Sequence, residues 1–94
     1  EYIYAFEAKS SSGPPIYIDE DKIEGLEYFA KKFDCSPVVA VRFDRDSWYF
    51  LHPDWLYRTA SGNYRVKQGF ASEHGVRFDG LGNENPILSH EPNE

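Results

Sequence analysis

The stretch YIYAFEAKSSSGPPIYI, residues 2–18, ends an apolar, strand-like run on one glutamate and one lysine before a serine- and proline-rich break. Side chains alternate across a strand, so Tyr2, Tyr4, Phe6 and Ala8 share one face while Ile3, Ala5, Glu7 and Lys9 share the other. Glu7 and Lys9 therefore point the same way, roughly 6.6 Å apart along the strand. Charged side chains are rarely buried unless they are paired or bind something. A carboxylate and an ammonium at this spacing suit metal-assisted phosphodiester hydrolysis. They equally suit an ordinary ion pair at a strand edge, and a chain of this length holds about 0.3 such pairs by chance.

Outward from this stretch the pattern continues as strand, helix, strand. Ile16–Ile18 is a short strand leading into a helix. Asp19 is placed to cap that helix, Glu20 and Asp21 put negative charge in its first turn, and Lys31 and Lys32 put positive charge in its last. Ile23, Leu26, Ala30 and Phe33 recur at helical spacing, with Phe29 widening the stripe. The β-branched run PVVAVRF (37–43) predicts a central strand covered on both faces. DRDS (44–47) predicts a turn and WYFLHP (48–53) an antiparallel return. TASGN (59–63) is a further turn signal, and YRVK (64–67) is expected at a sheet edge. Beyond Gln68 the pattern weakens, and residues 79–94 carry four acids, two prolines and no Lys or Arg, which predicts a frayed tail. The expected division is a core over 1–67 and a weakly structured acidic segment over 68–94.

Ninety-four residues with 17% aromatic content make one small domain with a real core. The net charge of −6 argues against a broadly basic nucleic-acid binder. The single cysteine, Cys35, excludes an intrachain disulfide and fits a reducing, cytoplasmic compartment. No apolar run reaches the roughly 18 residues of a membrane span, and no signal-peptide pattern is present. The chain begins with Glu1 inside a strand-like run and contains no methionine, which reads as a piece lacking its N-terminus. His52, His74, His90 and Cys35 have no metal-ligand spacing and are expected to be structural or on the surface. Trp48 and Trp55 are expected to pack the hairpin.

FEAKSSSGPPIYIDEDKIEGLEYFAKKF, then PVVAVRF, WYFLHP and TASGNYRV, closely resemble the archaeal Holliday junction resolvases, especially the acidic versions of salt-loving archaea. The resemblance covers residues 2 to about 67. It implies an α/β fold of restriction-endonuclease type: a mixed central sheet with a flanking helix, here truncated at its N-terminus. It further implies a Mg²⁺-dependent homodimeric endonuclease that cuts four-way DNA junctions. The metal site of that superfamily joins an acid on one strand to Glu-x-Lys on the next, and Glu7 and Lys9 match the second half. Glu7 and the main-chain carbonyl of Ala8 are the implied metal ligands, and Lys9 the residue that positions water or stabilises developing charge. Arg42 ends the buried strand, from which its side chain can reach a phosphate on the same side of the sheet as Glu7 and Lys9; the resemblance implies a basic residue there that supports DNA cleavage, against the alternative of a strand-end arginine paired with Asp44 or Asp46. Ser10, with Ser11 and Ser12, offers a hydroxyl to phosphate, against the alternative of a plain polar loop. Phe29 and Phe33 match dimer-interface positions, against the alternative of core packing. Lys9, Arg42, Arg58, Arg65 and Lys67 are candidates for a local basic face on an otherwise acidic surface. Two other readings stay open, a related nuclease with another DNA substrate and a non-catalytic dimerisation or protein-contact domain.

Overall fold

A computed structural model describes residues 3–77. Strand β1 (Tyr4–Ser11), strand β2 (Ile16–Ile18), helix α1 (Glu20–Lys32), strand β3 (Ser36–Phe43) and strand β4 (Trp48–Leu51) follow one another. A single 3-10 turn (Pro53–Trp55), strands β5 (Tyr57–Arg58) and β6 (Tyr64–Val66), and helix α2 (Gln68–His74) complete the described residues. Two three-stranded sheets result. The larger is mixed, in the order β1-β3-β4, with β1 parallel to β3 and β4 antiparallel to it. The smaller is antiparallel, in the order β2-β6-β5.

The β-branched run earns its central place. Val38, Val39 and Val41 of β3 are completely buried, because β1 and β4 flank the strand and both faces are covered. Parallel pairing of β1 with β3 requires a crossover, and α1 supplies it. Ile23, Leu26 and Ala30 form its buried stripe. Phe33 departs from the predicted stripe: it is 57% exposed, and Phe29 beside it is 50% exposed. The helix ends before Phe33 can turn inward. Asp34 adopts a left-handed φ of 56° and the Cys35 amide donates back to the Ala30 carbonyl at 2.8 Å, the bond that closes a Schellman-type end.

The start of α1 is also built differently from the sequence pattern. Asp19 occupies the cap position but makes no side-chain capping bond. The Glu20 amide instead donates to Asn63 Oδ1 at 3.1 Å, and the Arg58 guanidinium pairs with the Glu20 carboxylate. Both partners come from the β5–β6 hairpin, so the smaller sheet is tied to the helix entry. The hairpin turn needs Gly62, at φ 97°, where an added Cβ would lie 3.1 Å from Glu20 Oε1. Strand β6 is not an edge as expected but the middle of its sheet, since the short β5 adds to its far side.

Past residue 67, where the pattern weakens, α2 packs on β4. Phe50 and Val76 exchange main-chain bonds at 2.8 Å in both directions. Gly75 permits this approach, because a Cβ there would come within 2.5 Å of the Ala71 carbonyl and 2.9 Å of Tyr49 Cβ. The tail expected over 79–94 lies outside the described residues.

Candidate active site

Strand β1 is the edge of the larger sheet among the described residues, and both candidate catalytic side chains stand on it. Glu7 is half-buried and Lys9 exposed. The edge-strand ion pair does not form. Among the described residues the Glu7 carboxylate has no hydrogen-bond or ion-pair partner, while Lys9 Nζ donates to the Tyr17 carbonyl of β2 at 2.7 Å. A partly buried carboxylate with no protein partner is an unusual choice for a purely structural residue.

Glu7 borders an open groove of about 390 Å³ between β1 and α1, lined also by Ala5, Asp21, Lys22, Gly25 and Phe29. Asp21 was predicted only as a first-turn charge on the helix. That it shares a groove with Glu7 depends on how α1 packs, which no local pattern encodes. Ala8, between Glu7 and Lys9, is exposed on the same edge strand, where alternate main-chain carbonyls have no ladder partner. The donors here are carboxylate and carbonyl oxygens, the kind a hard divalent cation takes. They fit such a cation in kind but fall short in number. Among the described residues no group of three or more His, Cys, Asp and Glu is placed to hold a metal ion.

Arg42 and Ser10 lie elsewhere than expected. In the β1–β3 register Glu7 pairs with Val39, Lys9 with Val41, and Ser10 with Arg42. Paired residues share a face and neighbours alternate, so Ser10 and Arg42 point to the opposite face from Glu7 and Lys9. The two do come together with each other, lining a polar groove of about 340 Å³ with Ser11, Ser12, Asp44 and Arg45 at the strand ends. Arg42 pairs with neither Asp44 nor Asp46 as an ion pair. Its Nε donates to the Asp46 main-chain carbonyl at 3.2 Å. The Asp46 carboxylate has other work: it accepts from the Ser47 amide at 2.7 Å, Tyr49 Oη at 3.0 Å and Gln68 Nε2 at 3.2 Å. These bonds, the Ser47 amide foremost, hold its pKa below the usual carboxylate value.

Phe29 and Phe33 stack on one another with ring centroids 4.6 Å apart, and neither is buried in the core. Tyr28 is 67% exposed on the same helix. Trp55 is buried as expected, but Trp48 lies at the surface, 36% exposed. His52 Nδ1 accepts from the Asp54 amide at 3.0 Å, a capping role for the 3-10 turn. His74 stacks on Phe70 at 4.8 Å, and Cys35 Sγ donates to the Phe33 carbonyl at 3.5 Å. His90 lies outside the described residues. No described helix is long and apolar enough to cross a membrane.

One titration in this region has a measurable consequence. Desolvation, then the Asp54 charge and a hydrogen bond with that carboxyl, raise the Glu27 pKa above its ordinary value. A carboxyl with a raised folded-state pKa favours folding in its protonated form, so its ionisation removes stability as pH rises through that raised pKa. Glu27→Gln is therefore expected to raise the thermal midpoint at pH 7. The difference from the unchanged chain should close as pH falls to the ordinary carboxylate pKa. Melts across pH 4–8 check this, and a variant less stable at pH 7 would contradict it.

A mixed α/β sheet with Glu-x-Lys on its edge strand and a helix across one face is the restriction-endonuclease-like class of fold. The family model for archaeal Holliday junction resolvase matches residues 1–84, and the chain belongs to that family. The crossover junction endodeoxyribonuclease Hjc of Archaeoglobus fulgidus is 31% identical over 64 residues, 68% of this chain and 46% of that protein. The enzyme of the same name from Sulfolobus acidocaldarius is 34% identical over 82 residues, 81% of this chain and 57% of that protein. The solved structure of Archaeoglobus fulgidus Hjc, a Holliday junction resolvase, superposes with a TM-score of 0.76 at 27% identity, covering 83% of this chain and 62% of that one. The chain thus spans about half the length of the curated relatives it matches.

Proposed function

We propose that this chain carries the Glu-x-Lys half of a metal-dependent DNA endonuclease that resolves four-way junctions by phosphodiester hydrolysis, acting as a homodimer in the cytoplasm. The observation that carries the reading is Glu7, half-buried with no side-chain partner among the described residues, two residues before a lysine whose ammonium donates to a main-chain carbonyl. Membership of the resolvase family supports the choice of substrate.

Glu7 and the Ala8 carbonyl would contribute to a Mg²⁺ site, which water and further oxygen ligands would complete. When bound, the cation supplies Lewis-acid stabilisation of charge on the phosphate oxygens. Lys9 presents an ammonium that orients an attacking water or meets charge developing in the transition state. To do so it exchanges the Tyr17 carbonyl for a water or phosphate oxygen. Ser10 and Arg42 contact DNA from the other face, at the strand ends. The exposed Phe29–Phe33 pair forms the dimer contact.

The 94-residue chain is expected to bind a labelled four-way junction in preference to a linear duplex, without cutting it in Mg²⁺. Gel-shift and cleavage assays on the same samples check both halves. Absence of any junction preference would contradict the reading. Robust cutting would correct the ligand count and make Asp21, across the groove from Glu7, the first residue to substitute.

A further inference from the structure

The solvent face of the smaller sheet carries a cross-strand row that the catalytic reading leaves unused. Tyr17 of β2 is in register with Arg65 of β6, and Arg65 with Tyr57 of β5. Both tyrosines are open, Tyr17 at 50% and Tyr57 at 58% exposure. The Arg65 guanidinium lies over the Tyr57 ring, 4.5 Å from its centroid, and its buried Nε has no hydrogen-bond partner among the described residues. Among the described residues neither Arg65 nor Lys67 forms an ion pair. Arg58, by contrast, is in register with Tyr64 on the opposite face and is neutralised by Glu20.

The row is also tied to the candidate active site. The Tyr17 carbonyl is the acceptor that holds Lys9 Nζ. In a chain with sixteen acids and ten bases, a guanidinium laid on the open Tyr57 ring, in register with the open Tyr17 and with no carboxylate partner among the described residues, is a site suited to an outside anion. A guanidinium laid flat on a ring still presents its edge N–H groups to a phosphate. Open tyrosine rings stack on bases without regard to sequence. Both contacts suit a DNA strand whose bases have left the helical stack.

We infer that Tyr17, Arg65 and Tyr57 form a strand-contact surface for DNA at a branch point: Arg65 takes a phosphate, and the two rings stack on bases exposed where the helices part. The inference rests on the nuclease reading and adds to it the residues that tell branched from linear DNA. Within an intact duplex the base faces are covered, so the rings gain little there.

Fluorescence anisotropy of the 94-residue chain with a four-way junction, a single strand from it and a linear duplex tests this. Tyr17→Leu with Tyr57→Leu should weaken binding to the junction and the single strand about tenfold, and to the duplex by less than about threefold. Arg65→Gln should lower the slope of log affinity against log salt by about one on the junction. Unchanged junction affinity and salt slope in both variants would overturn the inference while leaving the nuclease reading in place. Failure of the unmodified chain to bind any of the three DNAs would overturn both. If a variant loses its far-ultraviolet circular dichroism, photo-crosslinking of the unmodified chain to a junction carrying 5-bromodeoxyuridine at the branch decides. Adducts on peptides containing Tyr17 or Tyr57 support the inference, and adducts confined to other peptides overturn it.

Discussion

In a longer form of the chain that cuts four-way junctions, Glu7→Gln is expected to slow cleavage by at least about a thousandfold while changing junction affinity by no more than about twofold. The substitution keeps the size and most of the hydrogen-bonding capacity of the side chain. What it removes is the negative charge a hard cation needs. The Glu7 carboxylate has no partner among the described residues, so its neutralisation breaks no ion pair and should leave the fold intact. Lys9→Ala should also stop cleavage but with weaker junction binding, because it removes a cation from the phosphate path and releases the Tyr17 carbonyl. Single-turnover cleavage beside anisotropy separates the two effects. A Glu7→Gln variant cutting at near-normal rates in Mg²⁺ would end the catalytic assignment.

The second large effect concerns assembly. If the proposed homodimer forms through this pair, Phe29→Ala with Phe33→Ala should convert it to monomer in sedimentation velocity while the helical circular dichroism signal is retained. Two stacked, half-exposed aromatic rings at i,i+4 form a compact patch that a two-fold interface can bury against its own copy. Such a patch is an energetic liability if left open to water. The buried stripe of α1 is Ile23, Leu26 and Ala30, so truncating the two phenylalanines leaves no cavity in the core. Loss of the folded signal would show that they support the fold itself.

The larger sheet was legible because its signals are local and redundant. A β-branched run reads as a central strand, and charge placement with a 3.6-residue stripe reads as α1. The Glu-x-Lys pair shares a face by pleat alone. What escaped the sequence was set by contacts across the chain. Asp19 has the chemistry of a cap, but the Glu20 amide goes to Asn63, 43 positions beyond Glu20. YRVK looks like an edge strand, yet the two-residue β5, too short to leave a pattern, makes β6 central. Arg42 was placed with Lys9 because both end apolar strands. The β1–β3 register, which sequence alone does not reveal, sets Arg42 opposite Ser10 and turns it to the other face. Phe33 followed the helical period but fell just past the last turn, where the left-handed Asp34 redirects the chain.

The most direct test of the central claim is cleavage of an end-labelled, immobile four-way junction by a longer form of the chain, followed on a sequencing gel with and without Mg²⁺. The account predicts metal-dependent nicks at symmetric positions in two opposing strands, yielding linear duplexes, with a linear duplex of the same sequence left uncut. Equal cutting of the linear duplex, or nicking that persists in a chelator, would contradict it.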